Sequence, residues 1–245
     1  VAPLTDYTGP VSPEFTVPPV TVPATGAATA GPHCAGCCGP LGGNGLIDEE
    51  LYFRGGTSLP VAGGFFNKVI SAGWLVEFGG RSVFYNADDD AAWTADLGLS
   101  YTYNDGSRPL QGINFGAGGG GPLVSVATLN RTFGNIALGR EYYLRGTAHG
   151  EGVRWRAGSD LGMRYGTARL DLHDLAQVSQ YDRANKWCYG WFASLHSDIE
   201  IPYGCCLFVA GIRAEIDQDY LPQLFAGQKS DLTDVNLLLT LGVRF

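Results

Sequence analysis

Charge is scarce in this chain: Asp, Glu, Lys and Arg together make up 16% of 245 residues, against about 25% in an ordinary soluble domain. Long surface helices laced with Lys and Glu are therefore not expected. Basic residues are the scarcer kind, 16 against 24 acids for a net charge of −8, and the first of them is Arg54. With no cluster of Lys and Arg to neutralise phosphates, nucleic acid is excluded as a partner. A spanning helix needs about 18 uninterrupted apolar residues, and the best runs, 204–212 and 235–243, fall well short. Catalytic motifs are missing too. There is no Gly-x-Ser-x-Gly elbow, and Gly116–Gly121 leads into Pro122 rather than Gly-Lys-Ser/Thr, which excludes a phosphate cradle. His149, His173 and His196 have no triad or metal spacing, and Asp88–Asp90 lack the spaced ligands of a calcium loop. The expectation is a non-enzymatic protein without cofactor or metal.

Glycine, by contrast, is abundant: 36 residues, about twice the usual share of roughly 7%. Proline is concentrated in residues 1–47, which carry only two acids and no base and include Val17-Pro-Pro-Val-Thr-Val-Pro23. Because Pro fixes φ and removes a donor, this segment is expected to be an extended arm rather than a domain. From residue 48 onward, short apolar and aromatic segments alternate with Gly, Asn and Asp. The period is two, which predicts eight strands, at about 50–58, 68–79, 92–104, 131–145, 152–167, 186–199, 205–217 and 234–245.

The two faces of these strands differ in chemistry. One is apolar throughout, with Ile70, Trp74 and Phe78 in the second strand, Trp93 to Tyr103 in the third and Leu237 to Phe245 in the last; only Arg140 interrupts it. The other carries Arg54, Glu77, Asp96, Glu141, Arg154, Arg156, Asp160, Arg164, Asp198, Arg213, Glu215 and Arg244, six bases against six acids, interleaved with glycines. A soluble binding barrel places its apolar residues inside and its charges outside. Here the apolar face is far too large to meet water. Lipid makes it the exterior and turns the charged face into a lumen network, in a closed barrel that leaves no strand edge unpaired. A soluble two-layer sandwich would bury the same apolar faces against each other, at the expense of a charged outer face unusually rich in glycine. Connection lengths favour the barrel. Short turns are expected at 146–151 and 200–204 and long loops at 105–130, 168–185 and 218–233, while 80–91 is longer than the rule allows. Trp93, Tyr142, Trp155 and Phe245 then form one aromatic rim, and Tyr101, Tyr103, Tyr165 and Trp187 the other.

On these residues, the chain from 48 to 245 resembles a small bacterial outer-membrane β-barrel protein. Its final strand, Asp234-Val-Asn-Leu-Leu-Leu-Thr-Leu-Gly-Val-Arg-Phe245, is similar to the signature by which such proteins are recognised, with Phe245 as the insertion signal. The Gly-rich strands, such as Trp155-Arg-Ala-Gly-Ser-Asp-Leu-Gly-Met-Arg-Tyr-Gly166, more loosely resemble barrel porins of planctomycete bacteria. The resemblance implies an eight-stranded antiparallel transmembrane barrel in the outer membrane, with outer-membrane lipid and the barrel-assembly machinery as partners, and it supplies no catalytic residues.

Six cysteines, Cys34, Cys37, Cys38, Cys188, Cys205 and Cys206, are an even count suited to disulfides in an oxidising compartment. Cys34 and Cys37 have CxxC spacing, but no second pair completes a zinc site, and Gly39 in place of His excludes haem attachment. Arm cysteines are expected to bridge to Cys205 or Cys206, or to a second subunit or envelope protein held through residues 1–47. Eight strands leave an interior that side chains nearly fill, so a structural or assembly role in the envelope is expected. A passive channel for small solutes is the alternative.

Overall fold

The computed structural model describes residues 47–107, 113–114, 123–174, 180–204, 206–221 and 231–245; the arm with Cys34, Cys37 and Cys38, and also Cys205, lie outside them. The described elements are β1 (Ile47–Ala62), α1 (Phe66–Val69), β2 (Ile70–Tyr85), β3 (Ala91–Gly106), β4 (Ile113–Asn114), β5 (Leu123–Arg145), β6 (Arg154–Asp174), β7 (Gln180–Tyr203), β8 (Cys206–Tyr220) and β9 (Asp231–Arg244). Every pairing is antiparallel. Long strands pair with their chain neighbours, β3 skips to β5, and β1 joins β9, so the sheet closes into an eight-stranded barrel. The two-residue β4 adds only to the far end of β5.

Alternation sorts the side chains as the period-two pattern requires. Leu97, Met163 and Leu195 point out and are 69, 69 and 68% exposed, whereas Arg156 and Arg244 point in and are fully buried. Aromatic rings mark both ends of the apolar belt. Near the chain ends of the barrel stand Phe84, Trp93, Tyr142, Trp155, Tyr203 and Phe208, with Trp155 Nε1 donating to Ser197 Oγ at 2.8 Å. Toward the opposite end, Tyr165 stacks on Trp187, Tyr189 on Tyr220, and Trp74 on Tyr103. Ten residues of β6 separate Trp155 from Tyr165. At about 3.3 Å per residue and a strand tilt near 40°, that is about 25 Å of height, the thickness of an apolar band in a membrane barrel.

Several expected boundaries move. β2 continues past Gly79-Gly80 to Tyr85, so the suspiciously long connection shrinks to residues 86–90. Asn86 braces this turn, its Nδ2 donating to Asp90 Oδ1 at 2.6 Å and its Oδ1 accepting from the Ala91 amide at 3.1 Å. Gly79 does not break the strand. A Cβ there would lie 2.5 Å from the Tyr52 hydroxyl and from the Leu97 carbonyl, so the missing side chain makes room for an inward tyrosine. At the strand's other end Lys68 belongs to α1, and an irregular register between Ile70 and Gly73 turns Ile70 inward rather than onto the apolar face. β5, β6 and β7 run 23, 21 and 24 residues, taking in residues 123–130 of the loop expected at 105–130 and most of the loop expected at 168–185. They stand beyond the aromatic ring as a three-stranded extension.

Candidate functional site: the charged lumen

The inward face of the barrel brings arginines and carboxylates from all eight long strands together. Nearest the chain ends, Arg156 on β6 donates to Glu141 at 2.9 and 2.7 Å and to Glu50 at 2.7 Å. Arg244 on β9 donates to Glu50 at 2.8 Å and to the hydroxyls of Tyr85 and Tyr143 at 3.1 Å each, and pairs with Glu200 at 2.8 Å. Two guanidinium groups thus hold carboxylates from β1, β5 and β7. Their planar, multiply donating geometry allows one cation to satisfy several acceptors at once.

Midway, Arg81 forks onto Asp96 at 2.7 and 2.9 Å and reaches Asp160 at 3.2 Å. Asp160 also accepts from Arg213, from Ser194 Oγ at 3.2 Å and from Thr94 Oγ1 at 3.3 Å, with His196 Nδ1 3.3 Å away. Arg54 bridges Glu77 and Asp96 at 3.1 and 3.2 Å, and its guanidinium carbon sits 3.6 Å from the centre of the Tyr52 ring. Further along, Arg164 donates to Asp217 at 2.6 Å and Asp219 at 2.7 Å. Arg131 donates to Asp219, to Asp234 and to Asn104 Oδ1.

Apolar clusters pack at both ends of the described barrel. At the extension end, α1 from the β1–β2 connection inserts Phe66 and Val69 among Leu129, Phe133, Leu170, Leu172 and Leu232. Toward the chain ends, Val83, Tyr85 and Ala92 pack with Ala148 of the β5–β6 turn. Arg154 fastens that turn by donating to the carbonyls of Ala148 and Gly150.

All twelve charged residues assigned to the inner face by the sequence lie buried there. Seven more join them: Glu50, Arg81, Arg131, Glu200, Asp217, Asp219 and Asp234. Among the described residues, the charges buried on the inner face are therefore eight arginines and eleven carboxylates, not six and six. Arg131, Asp217 and Asp234 share the parity of Glu141, Glu215 and Asn236 in segments already read as strand, so the period itself exposes them. Arg81, Glu200 and Asp219 were assigned to turns or loops that prove to be strand. Among the described residues no cluster of three or more His, Cys, Asp or Glu is arranged to hold a metal ion; arginines sit between the carboxylates instead. His149 pairs with Asp89 at 3.1 Å in the turns at the chain-end rim, remote from His196.

Among the described residues Cys188 and Cys206 carry free thiols and form no disulfide with each other. Cys188 is buried in the apolar cluster at the extension end, while Cys206 begins β8 at the other end. The remaining four cysteines lie outside the described residues.

No family model and no curated protein matches the chain. Among solved structures, the chain is similar to Ail, the attachment invasion locus protein of Yersinia pestis, in complex with the heparin analogue sucrose octasulfate, with 11% identity and a TM-score of 0.39, over 82% of this chain and 99% of that one. It is also similar to the N-terminal β-barrel domain of Pseudomonas aeruginosa OprF, with 13% identity and a TM-score of 0.33, over 81% and 96%. The barrel described above rests on its own strand pairings.

Proposed function

We propose that this chain is a non-enzymatic β-barrel of the bacterial outer membrane with a structural or assembly role in the cell envelope. The observation that carries the proposal is the filled lumen: arginines and carboxylates join opposite walls, apolar plugs stand at both ends, and the outer wall is apolar between two aromatic rings. Buried ion pairs of this kind hold a geometry more than they add stability, which suits a rigid pedestal. The Cys-bearing segment 1–47 belongs to the same proposal as a latch to the barrel, to a second copy or to an envelope partner. So does the barrel-assembly machinery acting on the final strand, as does the loose likeness to planctomycete porins. The test is conductance across a planar bilayer containing the full chain, after insertion has been verified by a mobility shift between boiled and unboiled samples. Silence at 1 M salt, about 3 Å Debye length, is the expected result. Stable single-channel steps would overturn the structural role in favour of a solute channel. Subunit ladders that collapse on adding reductant test the latch separately.

A further inference from the structure

Between the two aromatic rings the outer wall carries one ionisable side chain among the described residues, Arg140 on β5. An arginine facing hydrocarbon is costly unless it is near the interface or has an anionic partner. No carboxylate lies within ion-pair distance of it among the described residues. Its guanidinium carbon instead stands 5.0 Å from the Trp93 ring centre and 5.4 Å from that of Tyr142. Both rings belong to the rim nearest the chain ends, so the charge lies at headgroup depth. Directly opposite Arg140 on β6 is Ser159, exposed on the same face. Facing residues of neighbouring strands bring their Cβ atoms within about 5.5 Å, so a guanidinium and a hydroxyl converge on one spot of the wall.

A groove of about 610 Å³ opens from that spot, lined by Trp93, Arg140, Ser159, Ala193, Ala214 and Val235 among others. The register Arg140 to Ser159, Ser159 to Leu195 and Leu195 to Ala214 carries it across the wall. Tilted strands make such a row climb: Trp93 lies at the chain-end rim, whereas Val235 lies close to the opposite one. Five strand-to-strand steps from β3 to β9 cover about 24 Å along the wall, which at a tilt near 40° climbs about 15 Å, the depth of one hydrocarbon leaflet. The small side chains of Ala193 and Ala214 leave the channel open between Leu161, Leu195 and Ile216.

We infer that this groove binds one anionic glycerophospholipid of the leaflet at the chain-end rim, its phosphate on Arg140 and Ser159 and an acyl chain along the groove. A cation at headgroup depth and an apolar channel running from it into the membrane match the two halves of such a lipid. The inference rests on the lipid-facing reading of the outer wall.

The test uses the full chain inserted into vesicles of equal phosphatidylglycerol and phosphatidylcholine, extracted in mild detergent and examined by native mass spectrometry. The wild type should retain one phosphatidylglycerol in preference to phosphatidylcholine. Arg140→Gln should lower that preference about tenfold, the scale of a lost charge-assisted hydrogen bond, and Arg140→Lys should keep part of it. Ala214→Phe, which fills the groove, should lower retention of both lipids. Arg145→Gln, at the exposed end of the same strand, should behave as wild type. An unchanged preference in Arg140→Gln overturns the inference, as does a wild type that retains both lipids equally or occupies the groove with a second copy of itself. Failure of the wild type to insert at all would instead sink the membrane reading on which it rests.

Discussion

Within one barrel, two stretches of wall are built in opposite senses. Between the aromatic rings the outside is apolar, with Leu97, Leu161 and Leu239, and the inside is charged, with Asp96, Asp160 and Arg213. In the extension formed by β5, β6 and β7 the pattern inverts. Val126, Leu129 and Leu170 face inward, and the outward surface is polar: Tyr101 donates to Asn130 at 2.9 Å, Thr128 to Asp171 at 3.3 Å, and Arg169 pairs with Asp171 at 3.2 Å. The strands are continuous through the change, so the solvent outside, not the backbone, sets which face is greasy. On the membrane placement proposed above, hydrocarbon, which accepts no unpaired polar group, would drive the charges into the lumen, and water around the extension would reverse the preference and give it an ordinary apolar interior.

The largest way to break this contrast is to remove a charge from the lumen. Arg156→Ala takes from buried Glu141 its two shortest contacts and leaves buried Glu50 to Arg244 alone, and should cost about 3–5 kcal/mol, read as the fall in unfolding free energy in urea with the protein in vesicles. Placing a charge on the belt comes next. Leu161→Arg lies midway between Trp155 and Tyr165 and should cost about 3 kcal/mol by the same titration, whereas the same charge already exists at position 140 near the rim. Leu170→Ala, in the extension's apolar interior, should cost about 2 kcal/mol. That loss should persist whether the protein is held in lipid or in detergent, since the side chain contacts neither. The smallest effect is expected from Arg169→Leu, on the outward face of the extension, with a change under about 0.5 kcal/mol. A gain there comparable in size to the loss from Leu161→Arg would show that the extension lies in the membrane and would erase the contrast.

The alternation that made the belt legible is local: each strand shows its two faces in its own residues, as in Trp187, Tyr189, Trp191, Ala193 and Leu195. Strand ends were less legible because their usual signals were present for other reasons. Gly79-Gly80 looks like a breaker, yet Gly79 accommodates Tyr52. The outer halves of β6 and β7 lose the apolar-out pattern once they leave the belt, so a search for that pattern assigns them to loops. Glu200 and Asp219 disappeared from the inner face with those misplaced ends, although Asp198 and Asp217 pointed to them at a spacing of two.

The sequence by itself determined that the chain is built from eight long strands with one apolar and one charged face, because side-chain direction along a strand depends only on parity. It also marked Arg140 as the single charge on the apolar side. Only the tertiary structure decided which charges meet, since partners such as Arg244 and Glu50 are 194 residues apart and come together through closure of β1 on β9. It likewise decided that α1 plugs one mouth and the β5–β6 turn the other, and that Arg140 stands at the head of a groove. A barrel's register sets distances across the lumen and along its outer wall, and no period within one strand encodes that register.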